Sequence, residues 1–333
     1  VPSNNDNMVA KAPTIPADVL TLDLEDSVPP AEKAKGREMI QQYLKTERAN
    51  QAAPYLYVRI NNWETEMTND DLEAIVHPGL DGVCLAKCGE AANVQRLDWK
   101  LEELEQRRGM EVGSVAIQLL IETAKGCINA YPAATASPRV NSLIFGAVDY
   151  TKDMRVELTS EGVEQMYARY HTAVAARAAG CVAIDCPFVA FKDTEAFDKS
   201  TREGRQMGYE GRMLIHPSQI EPSHVIYTPS AESVEWAEGV KKVFEEEGIA
   251  KGTAAVTYLG KMVDTPVYEN ALQILRTMEE IKAAEAKAAA VAAVAGPVVA
   301  ETAVSEPAAV GLSAPVAGEG PSPPAAVEAE PSE

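Results

Sequence analysis

The sequence predicts an α/β protein built on a closed (β/α)8 TIM barrel, and three observations carry this prediction. Short apolar runs typical of buried strands alternate with longer amphipathic patterns typical of helices, which indicates a parallel sheet with right-handed crossovers. Seven such strands are visible, and an eighth that starts ahead of residue 1 completes the number that a barrel needs. No G-x-G-x-x-G turn follows the first visible strand, which argues against an open dinucleotide-binding sheet.

The predicted strands are apolar runs that end in polar residues, as in VLTLDLED. They cover residues 19–25, 55–61, 82–87, 115–122, 143–149, 182–185 and 213–216. The dipeptide VP at positions 1 and 2 resembles the end of a further strand. We therefore expect that the first strand of the barrel is clipped, with its beginning ahead of residue 1.

Four segments between the strands have helical spacing and helix-end signals. PPAEKAKGREMIQQYLK has prolines in its first turn, and TSEGVEQMYARYHTAVAARAAG begins with a threonine and stops at Gly180. The other two are AANVQRLDWKLEELEQRR and TEAFDKSTREGRQMG.

We divide the chain into a barrel (1–228), a C-terminal helical lid extension (229–287) and a tail (288–333). The extension contains the amphipathic segment SAESVEWAEGVKKVFEEEG and a glycine-punctuated crossing that leads into another helix. From Gly296 onward the chain has no Lys or Arg and is rich in Ala, Pro, Val, Ser and Glu. Because this composition cannot bury a core, we expect a disordered acidic tail.

Composition excludes several classes of partner and site. The net charge of −20 disfavours binding to nucleic acid or to anionic lipid, and no apolar run of 18 residues suggests a membrane span. None of the five cysteines forms a C-x-x-C pair, so we expect reduced core thiols rather than zinc ligands or disulfides. No leader is visible, and we expect a cytoplasmic protein, or a mitochondrial one if a targeting segment has been removed.

Polar residues gather at the ends of the predicted strands, which in a barrel meet at the face that carries the active site. Individually they have simpler explanations, because Asp26 can cap the next helix and Asp149 can form an Asx turn. Together they predict a charged site. The set comprises Asp23, Glu25, Asp26, Arg59, Lys87, Glu122, Asp149, Asp185 and His216.

Glu122 and Asp149 are the candidate metal ligands, because they end neighbouring predicted strands behind AIQLLIET and SLIFGAVD. Two carboxylates with few other ligands suit Mg²⁺, and no set of histidines favours zinc. The alternative is a salt bridge from either carboxylate to Arg59 or Lys87. Arg59 offers a planar fork for a carboxylate or oxyanion. Three acids would orient the metal's water shell and this arginine without binding the metal themselves: Asp23, Glu25 and Asp26.

The motifs LDLEDSV, VRIN, IET, FGAVDYTKD, REGRQMGYEGRMLIHPSQI and GKMVDTP resemble, in order and spacing, the citrate lyase β-subunit-like family of the HpcH/HpaI aldolase superfamily. Within it the chain is most similar to malyl-CoA and citramalyl-CoA lyases. The resemblance runs from residue 1 to about residue 280, and VPSNNDNM resembles the loop after this family's first strand.

The resemblance implies a Mg²⁺-dependent barrel that makes or breaks a carbon–carbon bond beside a CoA thioester. It assigns the metal to Glu122 and Asp149, contact with a 2-oxo acid to Arg59, and acid/base catalysis to Asp264. It also implies a homo-oligomer, trimer or hexamer, in which Asp264 reaches the barrel of a neighbouring subunit.

The resemblance also implies a site for the carboxylate of the oxo acid at the amides around Gly146 and Ala147. Many relatives carry a second acid at the position of Val148, so this chain departs from the pattern there. His216 is tempting as a base, but we expect a structural imidazole near the barrel mouth.

The sequence thus predicts a lyase that cleaves a malyl-CoA or citramalyl-CoA type thioester to acetyl-CoA and glyoxylate or pyruvate. Two enzymatic alternatives remain, a malate synthase-like condensation with thioester hydrolysis and the β subunit of a citryl-thioester lyase. A third alternative is a non-catalytic barrel that serves as a scaffold.

Overall fold

Seven parallel strands form one sheet in the computed structural model, which describes residues 1–46 and 54–295. The strands follow one another in chain order, so that each pairs with the next. The chain divides into two units, Val1–Val294 and Ala295–Glu333, and the sheet lies in the first. The strands are β1 Val19–Asp23, β2 Tyr55–Ile60, β3 Gly82–Leu85, β4 Ala116–Ile121, β5 Val140–Phe145, β6 Val182–Asp185 and β7 Gly211–Arg212.

The sheet is curled rather than flat. The Asn141 Nδ2 atom in β5 donates a hydrogen bond of 2.7 Å to the Tyr57 hydroxyl in β2, although β3 and β4 lie between them. Three strand spacings of about 4.8 Å would hold these groups apart in a flat sheet. The predicted α/β class and parallel sheet are therefore confirmed, with a curvature that suits a barrel.

Residues 1–3 run parallel to β1 along its free side. Pro2 bridges to Asp23, and the Asp23 amide donates to the Val1 carbonyl at 2.8 Å. This pairing agrees with the prediction that positions 1 and 2 belong to a strand.

Twelve α-helices are described, and the four predicted ones are among them. The helix Met166–Ala179 ends at Gly180, which has φ 72°, a conformation that a glycine adopts without strain. The helices are α1 Asp6–Lys11, α2 Lys33–Thr46, α3 Thr68–Ile75, α4 Ala91–Arg107, α5 Ala124–Ile128, α6 Ala130–Ala134, α7 Ala147–Met154, α8 Met166–Ala179, α9 Thr194–Gln206, α10 Ile220–Tyr227, α11 Ala231–Val243 and α12 Thr265–Ala295.

The main core lies between the sheet and the helices. Leu22 and Val58 from the sheet and Ile40 from α2 are fully buried within it. A smaller cluster, Cys84, Leu120 and Ile144, lies in a separate layer. Because strand residues alternate between the two faces, these two clusters occupy opposite faces of the sheet.

The segment after α10 has its own small core. Helix α11, a hairpin of β8 Val256–Tyr258 and β9 Lys261–Val263, and α12 pack around Val240 and Phe244, and Tyr268 stacks on Phe244 with ring centroids 4.7 Å apart. Helix α12 continues to Ala295, so residues 288–295, predicted as tail, are helical. The remainder of the predicted tail lies outside the described residues.

The last strand was predicted at the wrong position. Strand β7 covers Gly211–Arg212 and not the predicted residues 213–216, and it pairs with Ile184 and Asp185 of β6. A two-residue strand made of Gly and Arg shows no apolar pattern, whereas the apolar run that follows it is not strand.

The five cysteines are free and buried, as predicted, and burial raises the pKa of the Cys88 and Cys186 thiols to about 12. Across residues 1–46 and 54–295, no helix has both the length and the hydropathy to cross a bilayer.

Candidate active site

Asp23 and Arg59 form a bidentate ion pair where the first two strands end. They are register partners in β1 and β2, and Arg59 donates from Nε to Asp23 Oδ1 at 2.7 Å and from Nη2 to Oδ2 at 2.6 Å. Burial alone would raise the pKa of Asp23, but the hydrogen bonds and charge of Arg59 outweigh burial and hold this pKa well below its usual value. The pair is therefore a fixed, charged element of the sheet edge.

Lys87 is the second cation at this edge. Its Nζ contacts Glu25 and lies 3.1 Å from Asp26 Oδ2 and 3.8 Å from Asp149 Oδ1. Arg59 Nη1 also lies 3.4 Å from Glu25 Oε2. The carboxylates at and after the end of β1 are thus paired with an arginine and with a lysine.

Glu122 comes directly after β4 and is buried. Its Oε1 accepts a hydrogen bond of 2.8 Å from the Lys87 amide. A Cβ at Gly146 would lie 2.8 Å from Glu122 Oε2, so the glycine makes room for this carboxylate. Burial, and then the charge of Asp149, raise the pKa of Glu122 to about 8.

The residue whose amide binds Glu122 has an unusual backbone conformation. Lys87 has φ 50°, the left-handed region that residues other than glycine rarely adopt. Such strain persists where the surrounding structure over-determines it. One residue therefore serves the site twice, through its amide and through its ammonium group.

The Glu122 and Asp149 pair fits a magnesium ion in its donor chemistry. Burial, and then the charge of Asp149, raise the pKa of Glu122 by more than the charge of Lys87 lowers it. An oxygen-binding cation would supply further positive charge. The alternative salt bridge is long, 3.8 Å from Asp149 to Lys87. Within the described residues no group of three or more His, Cys, Asp or Glu could hold a metal.

Asp149 was expected at the end of a strand but lies in the first turn of α7, because β5 ends at Phe145. The Gly146 amide was expected to bind substrate, yet it donates to the Ile121 carbonyl at 3.0 Å. The first amides of α7, those of Ala147 and Val148, have no acceptor within the helix. They are the better candidates for a carboxylate site.

Asp264 lies apart from this cluster in the chain's own contacts. Its Oδ1 accepts from the Val267 amide at 3.3 Å and its carbonyl from Tyr268 at 3.0 Å, so it caps the start of α12.

His216 caps the short helix Pro217–Gln219 through the Ser218 amide, and its ring stacks on Phe191 with centroids 4.8 Å apart. The ring therefore has two structural contacts, one to a helix start and one to an aromatic side chain.

Asp185 does not face the candidate site, although it was grouped with the strand-end acids. Ala183, two positions earlier in β6, belongs to the core between sheet and helices. Residues two positions apart in a strand lie on the same face, so Asp185 points toward the helices as well. Arg169 of α8 donates to it from Nε at 2.8 Å and from Nη2 at 2.5 Å, and Arg212 lies 3.5 Å away. Asp185 therefore ties strands to helices.

Sequence reasoning missed Lys33, whose buried ammonium group binds the backbone of the acidic segment that follows β1. Its Nζ donates to the Leu24 carbonyl at 2.6 Å, to the Glu25 carbonyl at 2.8 Å and to Asn61 Oδ1 at 2.9 Å. Burial lowers the pKa of Lys33. A lysine at the start of an amphipathic helix gives no sign in the sequence that it will turn inward.

Comparison with known proteins places the chain in a family. The family model described as HpcH/HpaI aldolase/citrate lyase matches residues 1–217. The chain belongs to that family. The citrate lyase subunit beta of Leuconostoc mesenteroides is 36% identical over 276 residues, 83% of this chain and 90% of that protein. An L-malyl-CoA/beta-methylmalyl-CoA lyase of Cereibacter sphaeroides is 30% identical and covers 85% of this chain and 94% of its own.

Solved structures superpose on the chain as well. The CitE protein of Mycobacterium tuberculosis, in complex with magnesium, acetoacetate and coenzyme A, has a TM-score of 0.66 and 28% identity, over 83% of this chain and 95% of that one. A citrate lyase of Burkholderia xenovorans has a TM-score of 0.70 at 21% identity, over 79% and 83% of the two chains. The second likeness concerns the fold alone.

Proposed function

We propose that the protein is a Mg²⁺-dependent carbon–carbon lyase that cleaves a malyl-CoA or citramalyl-CoA type thioester to acetyl-CoA and a 2-oxo acid. The observation that carries the proposal is the buried Glu122 carboxylate, held by the Lys87 amide beside Asp149. The family membership and the relatives named as lyases of CoA thioesters support it.

Glu122 and Asp149 would hold the magnesium ion, which when bound supplies Lewis-acid polarisation of a substrate carbonyl. Arg59 is fixed by Asp23 and offers positive charge where an oxygen becomes anionic. Lys87 holds the Glu122 carboxylate through its amide, and the first amides of α7 would bind the carboxylate of the oxo acid.

Asp264 would act as the base in the cleavage direction. It removes the proton of the β-hydroxyl group, the carbon–carbon bond breaks, and its electron pair passes to the thioester as an enolate. Proton return to the enolate carbon gives acetyl-CoA, and the oxygen that lost its proton becomes the carbonyl of the 2-oxo acid.

The hydrogen bonds of Asp264 stay within the start of α12, so we propose that it serves the site of a neighbouring subunit in a homo-oligomer. We also propose that the sheet closes into an eight-stranded barrel. Residues 1–3, which pair with β1, would belong to the additional strand, which comes first in chain order. A hydrogen bond of 3.1 Å between His224 in α10 and Asp18, just before β1, supports this closure. The segment 229–287 would then form a lid.

Two relatives favour other outcomes of the same chemistry. The (3S)-malyl-CoA thioesterase of Cereibacter sphaeroides is 30% identical over 284 residues, which favours a version with thioester hydrolysis. The citrate lyase β subunits favour a citryl thioester.

The test is incubation with Mg²⁺ and separate malyl-CoA, citramalyl-CoA and citryl-CoA, with products identified by mass spectrometry. We expect acetyl-CoA and an oxo acid from one of the first two, no reaction with EDTA, and restoration by Mg²⁺. Free CoA in place of acetyl-CoA would indicate the hydrolase, and cleavage of citryl-CoA alone the citrate lyase subunit. A protein that neither binds Mg²⁺ nor cleaves any thioester would be the scaffold.

A further inference from the structure

We propose that the interior between β7, α9 and α10 binds one small monovalent anion of the size of chloride or bromide. Three groups hold it: the guanidinium Nε of Arg212 in β7 and the hydroxyls of Ser223 and Tyr227 in α10. This anion site lies on the helix side of the sheet, where Arg212 meets Asp185. It is separate from the candidate active site and from the chemistry proposed there.

All three donor atoms are buried, and none of them has a hydrogen-bond partner within residues 1–46 and 54–295. The Arg212 side chain is 1% exposed, and Ser223 is buried as well. Nearly all buried polar atoms in folded proteins are paired, and each unpaired one destabilises the native state. Three such atoms in one region indicate a bound species that accepts their hydrogen bonds.

The packing of α10 brings these atoms together. Ser223 and Tyr227 are four positions apart, so they lie on the same face of the helix, and α10 packs against α9 and β7. Burial, and then the charge of Asp185, raise the pKa of Tyr227, whereas the charge of Arg212 lowers it. The hydroxyl therefore lies within electrostatic reach of both charges, and it stays protonated and able to donate.

Arg212 has one donor left for the anion. Its Nη1 donates to Thr201 Oγ1 and its Nη2 to Ser200 Oγ, each at 3.1 Å. Its Cζ lies 5.5 Å from the centroid of the Phe197 ring and 5.8 Å from that of Phe188. The remaining Nε–H is thus held in apolar surroundings, where a hydrogen bond to an anion is stronger than in water.

Charge selects an anion over a water molecule. Arg169 and Arg212 lie 2.5 and 3.5 Å from the same oxygen of Asp185, and neither has another ion pair among the described residues. The Cys186 thiol beside them is neutral, because burial raises its pKa to about 12. Two buried cations therefore share one carboxylate, and the excess positive charge is unfavourable away from water. A water molecule would accept the hydrogen bonds but leave this charge unbalanced, whereas one monovalent anion does both.

The first experiment locates the anion. Crystals of the full chain are grown in sodium bromide, and diffraction is measured at the bromine absorption edge, where bromide scatters anomalously. We expect an anomalous peak in contact with Arg212 Nε and with the Tyr227 hydroxyl. A water molecule in that place, or a map without a peak there, would overturn the proposal.

The second experiment measures the melting temperature in sodium chloride and in sodium gluconate at equal ionic strength, since gluconate is too large for the site. A chloride concentration ten times the dissociation constant raises the folding equilibrium constant roughly 10-fold. We therefore expect melting about 2–5 °C higher in chloride. Tyr227→Phe and Ser223→Ala should each remove most of this difference and stay folded, because the deleted hydroxyl has no partner among the described residues.

The matched control is Tyr209→Phe, whose deleted hydroxyl donates to the Arg169 carbonyl at 2.7 Å. This variant should be less stable in both salts and keep the chloride difference. Equal melting of the wild type in both salts would refute the anion site, and so would a Tyr227→Phe protein that keeps the difference. A bromide peak with no effect in solution would mean an adventitious ion only. Both experiments are done without thioester, so their outcome is independent of the lyase activity.

Discussion

Arg59 and Asp23 hold each other with two hydrogen bonds at register-paired positions of adjacent strands, so removing either charge leaves the other one buried and unpaired. We expect Arg59→Lys to be nearly as harmful as Arg59→Ala, because an ammonium group cannot reproduce the planar fork. Each should lower kcat/KM about 100-fold or more. Arg59→Ala, which leaves Asp23 without its partner, should also lower the free energy of unfolding by about 3–5 kcal/mol.

Steady-state kinetics and urea unfolding check this expectation. Arg177→Lys on the exposed end of α8 is the control and should change neither quantity. If Arg59→Lys keeps most of the activity, Arg59 supplies only diffuse charge.

The proposed metal ligands differ from Asp23 and Glu25 in lacking a short ion pair, since the distance from Asp149 Oδ1 to Lys87 Nζ is 3.8 Å. We expect Glu122→Gln and Asp149→Asn to weaken Mg²⁺ binding roughly 100-fold or more while the fold is kept, because each removes one of two anionic donors. Isothermal titration calorimetry measures the loss directly. Glu90→Gln, an exposed acid that pairs with Lys125, should bind Mg²⁺ normally, and unaltered binding in either site variant would remove that residue from the site.

Lys87 offers a way to separate a backbone role from a side-chain role. Lys87→Gly and Lys87→Val both delete the ammonium group, but glycine accepts φ 50° and valine resists it. We expect the valine variant to be less stable than the glycine variant by about 1–2 kcal/mol, measured by urea unfolding. Equal stabilities would mean that the left-handed backbone at this residue is easily relaxed.

At the scale of elements, the packing of α9 on β6 depends on one glycine. A Cβ at Gly204 would lie 2.2 Å from Asp185 Oδ2 and 3.1 Å from Arg169 Nη2. We expect Gly204→Ala to lower the free energy of unfolding by about 2–4 kcal/mol, because it disrupts a buried ion pair.

Thermal and urea unfolding measure the loss. Gly211→Ala in β7 is the matched control, since a Cβ there meets no atom within 4 Å, and it should be nearly neutral. A Gly204→Ala protein as stable as this control would show that α9 moves away freely.

Elements with strong periodicity could be predicted from the sequence, and those set by tertiary partners could not. Strand β6 was predicted at its observed bounds. Strand β7 was predicted at the wrong position because its Arg212 is buried through tertiary partners, Asp185 in β6 and Ser200 and Thr201 in α9. The candidate site likewise has one part that the sequence pattern predicts and one part that it does not. The Asp23 and Arg59 pair follows from strand-end positions, but the amide of Lys87 acts through a backbone angle that no residue pattern announces.

For the whole molecule, the proposed sharing of sites predicts complementation between inactive chains. Asp264→Asn and Glu122→Gln should each be inactive alone, but mixed oligomers made by co-expression should recover part of the activity. Sites that combine an intact Glu122 with an intact Asp264 from another chain account for the recovery. Mixed oligomers that are verified by mass and remain inactive, with each variant folded, would place Asp264 in its own chain or outside the chemistry.

The chain order of the seven strands also has a kinetic meaning. Because each strand pairs with the one made just before it, the sheet can grow by one strand at a time while the chain leaves the ribosome, with no strand waiting for a distant partner. The hydrogen bond between His224 and Asp18 is different, since it joins residues 206 positions apart. Closing so long a loop costs entropy that only an assembled sheet can offset. This contact should therefore be among the last to form during synthesis and among the first to break on unfolding.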